Sequence, residues 1–438
     1  MQILAVGFLG VILGGGVLLW LPVSNQQPIA FVDALFTSVT AVCVTGLVTI
    51  TPVTQFTLFG KIVLLLLIQI GGLGVIACVM AFFLIIKKRI SVKERILIQE
   101  TYSADSLGGM VAMIIRVLKG TFLVEGAGAV LYAFQFVPEY GFLRGVWYSV
   151  FHAVSAFCNA GIDILGDSSF IKYVDNPVIN VTTMLLIVLS GLGFPVWYDI
   201  LQNLRKGCFF RKFRLHTKIV LLMTTVLVAA GTLVFLELEY RNPETLGNLS
   251  FGEKVMAAMF QSVTTRTAGF ATLPQASLTQ GTMFTGCMLM FIGGSPGGTA
   301  GGVKTTTVFM LILCCVSVIR GDKDMECFRR RIPAENIRTG ICIVIVAFGT
   351  LLLGTTLVTV LEGDVSFMRV LYETTSAIGT VGLTADLTPS LCLASKIVIM
   401  MMMYIGRIGP VTFALVFGAR REHKDSVRRL PSQEILVG

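Results

Sequence analysis

Eight apolar runs long enough to cross a bilayer, with four shorter ones wedged between them, constrain this chain more than any other feature. A spanning helix needs about 20 apolar residues. The runs at roughly 1–22, 58–86, 108–136, 177–200, 216–238, 281–319, 335–361 and 391–418 reach that length. Between each odd run and the next even one lies a segment too short to cross and too apolar for a surface loop. The four read FVDALFTSVTAVCVTGLV from Phe31, VWYSVFHAVSAFCNAGID from Val146, GEKVMAAMFQSVTTRTAGF from Gly252 and SFMRVLYETTSAIGTVGL from Ser366. Each opens with the spacing of a short amphipathic helix, passes a Ser/Thr cluster and ends on a glycine followed by an apolar residue. Those glycines, Gly46, Gly161, Gly269 and Gly382, recur at separations of 115, 108 and 113 residues. A fixed pitch of this kind marks an internal repeat.

Composition agrees. Only 13% of the residues are charged and mean hydropathy is +0.83, whereas soluble domains carry about 25% charge. The bilayer must therefore be the main solvent. Non-helical backbone at membrane depth is tolerated only where it lines a water-filled path or is buried in protein. Four such segments in one chain predict a ring about a shared axis. The expected fold is an all-α integral membrane protein with eight spanning helices and four re-entrant pore helices around a central pore. Its units are 1–86, 87–204, 205–325 and 326–418, followed by a tail at 419–438.

The net charge of +9 does not imply nucleic acid, because most Lys and Arg fall in four stretches at 87–95, 205–218, 320–338 and 420–429. The intervening linkers carry acids such as Glu139, Asp163, Asp175, Glu244 and Glu362. This asymmetry places the basic stretches, and with an even span count both termini, in the cytoplasm. Residues 1–22 lack a basic n-region and a small-residue cleavage site, so they read as a retained first span. The ten cysteines form no CxxC pair and read as small buried hydrophobes.

The loops have no Asp or Glu just before their glycines, so a carboxylate ring is not the selecting device. Backbone carbonyls are the remaining route, with glycine permitting the conformations that aim them inward. Helix C-termini pointing at the axis carry about −0.5 charge each and favour a cation.

At these motifs the chain resembles the membrane subunits of the Trk/Ktr/HKT potassium transporters, most of all the bacterial Ktr type. The likeness rests on CVTGL, FCNAGI, TTRTAGF and IGTVGL at the four loops, GGSPGGTAGGVKTTT from Gly293 and YIGRIGP from Tyr404. The extra pair of N-terminal helices usual in the Trk branch is missing from this sequence. The resemblance implies a potassium filter of backbone carbonyls from Cys43, Val44, Thr45 and Gly46; Cys158, Asn159, Ala160 and Gly161; Arg266, Thr267, Ala268 and Gly269; and Gly379, Thr380, Val381 and Gly382. Glycine at all four positions goes with potassium preference in that family, while some plant relatives favouring sodium have serine in the first loop. A hydroxyl sits six residues before the glycine at Thr40, Ser155 and Ser376 but five before it at Thr264, which makes the third loop the least secure to transfer.

The sixth run is broken by 293–302, whose six glycines and proline cannot stay helical. Its sequence at 297–305 approaches a phosphate-binding loop but is one residue too long and follows no strand. Ser295 lacks a histidine partner apart from His152 in a pore helix, so an enzyme is not expected. The resemblance implies an intramembrane gate formed by Gly293, Gly294, Ser295, Pro296, Gly297, Gly298, Thr299, Ala300, Gly301 and Gly302, with Lys304 and Arg407 beside it. Arg407 has a second reading as a neutralised partner of Glu125. The resemblance also implies a homodimer in membrane lipid, no bound cofactor besides the transported potassium, possible sodium dependence and a cytosolic ring of nucleotide-binding subunits. A secondary symporter with alternating access is the rival, and it predicts inverted repeats and an intramembrane carboxylate.

Overall fold

The computed structural model describes residues 2–74, 78, 110–166, 168–204, 212–322 and 324–409. The basic stretch at 87–95, much of the one at 205–218, and the tail lie outside the described residues.

The longer helices fall into four successive units, each with a short helix between longer ones. The first unit has α1 (Gln2–Trp20), α2 (Phe31–Cys43) and α3 (Leu58–Leu73). The second has α4 (Met110–Tyr140), α5 (Phe142–Cys158), α6 (Pro177–Leu192) and a continuation, α7 (Phe194–Leu204). The third has α8 (Leu215–Glu239), α9 (Phe251–Thr264), α10 (Gln280–Phe291) and α11 (Thr305–Arg320). The fourth has α12 (Ala334–Glu362), α13 (Phe367–Gly379) and α14 (Leu393–Ile408). A two-stranded hairpin, β1 (Glu326–Cys327) with β2 (Arg330–Arg331), joins α11 to α12.

Inner helices begin at caps written in the sequence. Thr57 accepts from Gly60 N–H at 3.3 Å, Thr279 from Thr282 N–H at 3.3 Å, and Asn176 from Val178 and Ile179 N–H at 3.0 and 3.2 Å. The second short helix starts at Phe142, earlier than its sequence pattern suggests, because Gly141 at φ 80° turns the chain straight out of α4.

Three inner spans differ from the sequence reading. The run at 177–200 is not one span: the chain breaks at Gly193 (φ 91°) and α7 leaves α6 at 94°. Helices α3 and α14 end at Gly74 (φ 86°) and Gly409 (φ 96°), well inside apolar runs that the sequence reading carried to 86 and 418.

Side-chain contacts tie each unit to the next. Gln69 donates to Glu125 at 3.0 Å between the first and second units. Phe170 stacks on Phe270 with centroids 4.8 Å apart, and Tyr372 donates to Gln275 at 2.8 Å. The fourth unit returns to the first through Lys396–Asp33 at 2.8 Å and Tyr404 to the Ala5 carbonyl at 2.8 Å.

The linker after α5 is pinned by Lys172, which bonds Glu139 at 2.7 Å and faces the rings of Tyr140 and Tyr173. Burial works against charge on Glu139, yet hydrogen bonds from Lys172 and Tyr173 and the ammonium charge hold its carboxyl below the usual range. A depressed acid stabilises the fold above its unfolded pKa of about 4.3, and the contribution is lost as pH falls through the lower folded value. Amide exchange at 168–176 is therefore expected to quicken below about pH 4 in the native protein. In Lys172→Ala it should already be fast at neutral pH.

Candidate functional site

The four short helices end alike. Two residues before each terminal glycine the backbone is left-handed, at Val44 (φ 55°), Asn159 (φ 60°), Thr267 (φ 70°) and Thr380 (φ 51°). Three of these are β-branched, for which this conformation is a genuine outlier, costing about 1–3 kcal/mol each. The next N–H then folds back onto the helix end. Thr45, Ala160 and Val381 each donate at 2.8 Å to the carbonyls of Thr40, Ser155 and Ser376. In the third loop Ala268 donates at 3.0 Å to Thr264. Thr264 thus takes the place of the other three hydroxyl residues, and the loop is one residue shorter between it and the glycine. That missing residue explains the irregular spacing. Arg266 lies in the closing turn of the helix, its N–H on the Val263 carbonyl at 3.1 Å, while Cys43, Cys158 and Gly379 are the last helical residues.

The hydroxyls then split into two pairs. Thr40 and Ser376 accept from the N–H of Gly46 and Gly382, both at 2.9 Å. Ser155 and Thr264 donate to the carbonyls of Ile162 and Phe270, both at 2.6 Å.

All four glycines have positive φ, and they meet. A Cβ on Gly46 would lie 2.6 Å from the Ala160 carbonyl oxygen, and one on Gly161 would lie 2.6 Å from that of Ala268. One on Gly269 would lie 2.5 Å from that of Val381, and one on Gly382 would overlap that of Thr45. Each glycine therefore faces the residue before the glycine of another unit, first to second, second to third, third to fourth and fourth to first. The contacts close a ring in chain order.

The segment 292–304 packs against this ring. It opens and closes on itself through Gly293 N–H to Val303 at 2.9 Å and Val303 N–H to Phe291 at 3.2 Å. Ser295 N–H reaches the Gly191 carbonyl at 3.0 Å, and Phe194 N–H reaches Gly297 at 3.0 Å, so the break in α6 supplies part of its seat. Thr299 accepts from Asn159 Nδ2 at 3.0 Å and donates to the Phe157 carbonyl at 3.2 Å. On the other side Gly301 lies so close to Thr380 Oγ1 that a Cβ would overlap it. Lys304 folds over its own loop, donating to Ala300 at 2.6 Å and Gly301 at 3.3 Å.

Arg407 joins this loop to the first unit. Its guanidinium donates to the Thr299 carbonyl and to that of Gly71, with Gly72 at 3.3 Å. The suggested pairing with Glu125 is replaced by these carbonyls, and Glu125 instead accepts from Gln69. Backbone groups at helix breaks need partners, and an arginine's fixed fork supplies several donors at once.

A family model for cation transport proteins, TrkH, matches residues 1–428. The chain belongs to the TrkH cation transport family. It is 39% identical to the Ktr system potassium uptake protein B of Bacillus subtilis over 437 residues, covering all of this chain and 96% of that one. It is 37% identical to the potassium/sodium uptake protein NtpJ of Enterococcus hirae, covering 100% and 97%. Among solved structures it is similar to the potassium transporter TrkH from Vibrio parahaemolyticus, with a TM-score of 0.68 at 18% identity over 94% of this chain and 85% of that chain. The all-α membrane fold expected from the sequence agrees with that likeness.

In this TrkH-family chain every sequence-selected loop residue lies at the ring or its helix ends, and the glycine-rich segment, Lys304 and Arg407 lie against it. The sequence reading found the break in the sixth run but missed those at Gly74, Gly193 and Gly409. Gly71 and Gly406, each three residues before a break, sit against the pore-helix carbonyls of Val42 and Ile378. Arg407 stands two residues before its break, where the first two units have Gly72 and Gly191. The signals were present as GLGFP at 191–195 and GP at 409–410, glycine-then-proline stops of a kind that ends helices.

Proposed function

We propose that this chain takes up potassium across the bacterial cytoplasmic membrane through a filter made by the backbone carbonyls of 43–46, 158–161, 266–269 and 379–382. The observation that carries this reading is the closed ring of four glycines, each against a neighbouring backbone carbonyl. Such a ring offers a bare cation a substitute for its hydration shell, at the C-terminal ends of four short helices. Potassium as the cargo is supported by relatives named as potassium uptake proteins.

The segment 293–302 acts as the gate, with Lys304 and Arg407 holding it closed. Through Arg407 the loop of the third unit is tied to the first unit, its diagonal partner in the ring. One guanidinium reaching both leaves little open path at that level. The Ktr system names of the relatives support a cytosolic regulatory partner. Our reading includes nucleotide-binding subunits docked on the basic cytoplasmic stretches, a homodimer of this chain, and the four units and tail bounded as above. The name of NtpJ supports sodium as a second ion that acts on uptake.

The test is flux through purified protein in liposomes carrying a potassium gradient. Downhill rubidium or potassium flux, with sodium discriminated against, is the expected result. Uptake that strictly requires an inward sodium gradient would favour a coupled symporter. Absence of any cation flux would end the pore reading.

A further inference from the structure

Three residues before each loop hydroxyl, one helical turn back along the pore helix, stands a fully buried polar residue: Thr37, His152, Gln261 and Glu373. They differ in what they grip. Thr37 spends its hydroxyl inside its own helix, on the Asp33 carbonyl at 2.8 Å. His152 turns Nδ1 to the Tyr148 carbonyl at 2.7 Å and receives the Ile164 N–H on Nε2 at a long 3.5 Å. Gln261 exchanges amide bonds with Gln275 at 2.7 and 3.1 Å. Glu373 holds the returning strand of its loop at three places: the hydroxyls of Thr384, at 3.0 Å, and Thr388, and the backbone N–H of Ala385. Ile164 and Ala385 occupy the same place, three residues after the terminal glycine.

These residues are therefore struts between pore helix and returning strand, absent in the first unit, single in the second and strongest in the fourth. Glu373 forms no ion pair among the described residues. Its two oxygens are both satisfied by donors from the strand, so the contact has little freedom to shift. The strand it grips begins at Val381 and Gly382, whose atoms complete two of the four ring contacts.

We propose that Glu373 is a positioning residue for ion discrimination, fixing the fourth loop's carbonyls behind Gly382 through its grip on Thr384, Ala385 and Thr388. The inference rests on the potassium-filter reading and adds where the discrimination is held. A filter distinguishes potassium from sodium through the number, spacing and stiffness of its carbonyls. Loosening the best-braced loop should therefore let the ring close around the smaller ion. Glu373→Gln keeps the shape but turns an amide NH₂ toward donors, leaving at least one of them unpaired.

The experiment measures potassium-to-sodium permeability ratio and total flux in proteoliposomes, with thermal unfolding of the purified protein as the folding control. In the native protein, potassium flux tests the filter reading itself, before any variant is compared. Glu373→Gln is expected to lower the permeability ratio about tenfold while total flux changes much less. Thr388→Val removes one donor at nearly constant volume and should shift the ratio the same way by a smaller factor. It also serves if Glu373→Gln does not fold. His152→Ala, acting on the weaker strut, should move the ratio least. An unchanged ratio in folded Glu373→Gln, or a loss of flux at constant ratio, overturns the proposal. So does an unchanged ratio in Thr388→Val.

Discussion

Gly382→Ser is expected to cut potassium flux by roughly a hundredfold or more. The estimate adds about 1–2 kcal/mol for a side chain at left-handed φ to about 1–3 kcal/mol for overpacking, at about 1.4 kcal/mol per tenfold. The new Cβ would overlap the Thr45 carbonyl oxygen and lie 2.8 Å from the Cα of Gly46, both backbone atoms that cannot rotate away. Gly46, Gly161 and Gly269 face the same constraint, and alanine at any of them should behave similarly. Gly349→Ala is the control: it sits within α12 with nothing within 4 Å of its would-be Cβ. That variant should conduct normally and gain slightly in stability, since alanine exceeds glycine in helix propensity by about 1 kcal/mol. Rubidium flux and melting temperature read both effects. Normal flux through Gly382→Ser would show that the ring is not the conducting path.

Arg407→Ala is expected to act in the opposite direction and raise resting flux, by about tenfold if it removes about 1.4 kcal/mol from the closed arrangement. Charge-assisted bonds to carbonyls are worth about 1.5–3 kcal/mol each, and Arg407 makes them both to the loop at Thr299 and to α3 at Gly71. Its removal separates the third unit's loop from the first unit. Arg407→Lys should fall between the two, because an ammonium is a point charge without the fork needed to span both carbonyls. Single-turnover efflux from liposomes without any regulatory partner measures this directly. A fall in flux with unchanged ion selectivity would instead assign Arg407 to holding the pore open.

Much of this architecture was legible because it rests on backbone rules that sequence obeys. A residue of positive φ whose Cβ position is filled by a neighbouring loop's backbone admits only glycine, so Gly46, Gly161, Gly269 and Gly382 were visible as a repeat. Even the shortened third loop showed itself as a five-residue spacing from Thr264. The helix breaks at Gly74, Gly193 and Gly409 did not stand out, since the apolar runs continue straight through them. Hydropathy reports the surrounding solvent and is blind to where the backbone turns within it. Only the second reading of Arg407, a pairing with Glu125, failed, and for a related reason: a search for its partner among charged side chains cannot find carbonyls that only a broken helix leaves free. The struts at His152, Gln261 and Glu373 were hidden by chemical variety, a single structural position filled by three unlike residues.

The ring closes in chain order, and that has a consequence for charge. Four identical subunits around an axis must repeat every residue four times. An arginine at the position of Arg407 would then place four guanidiniums around the path of a cation, and the repulsion would be prohibitive. Because one polypeptide supplies all four quarters, it can set an arginine at this place in the fourth unit, a glycine at the matching place in the first two, and a glutamate strut in only the last. Covalent linkage thus lets the pore carry an uneven electrostatic landscape that no homotetramer could encode.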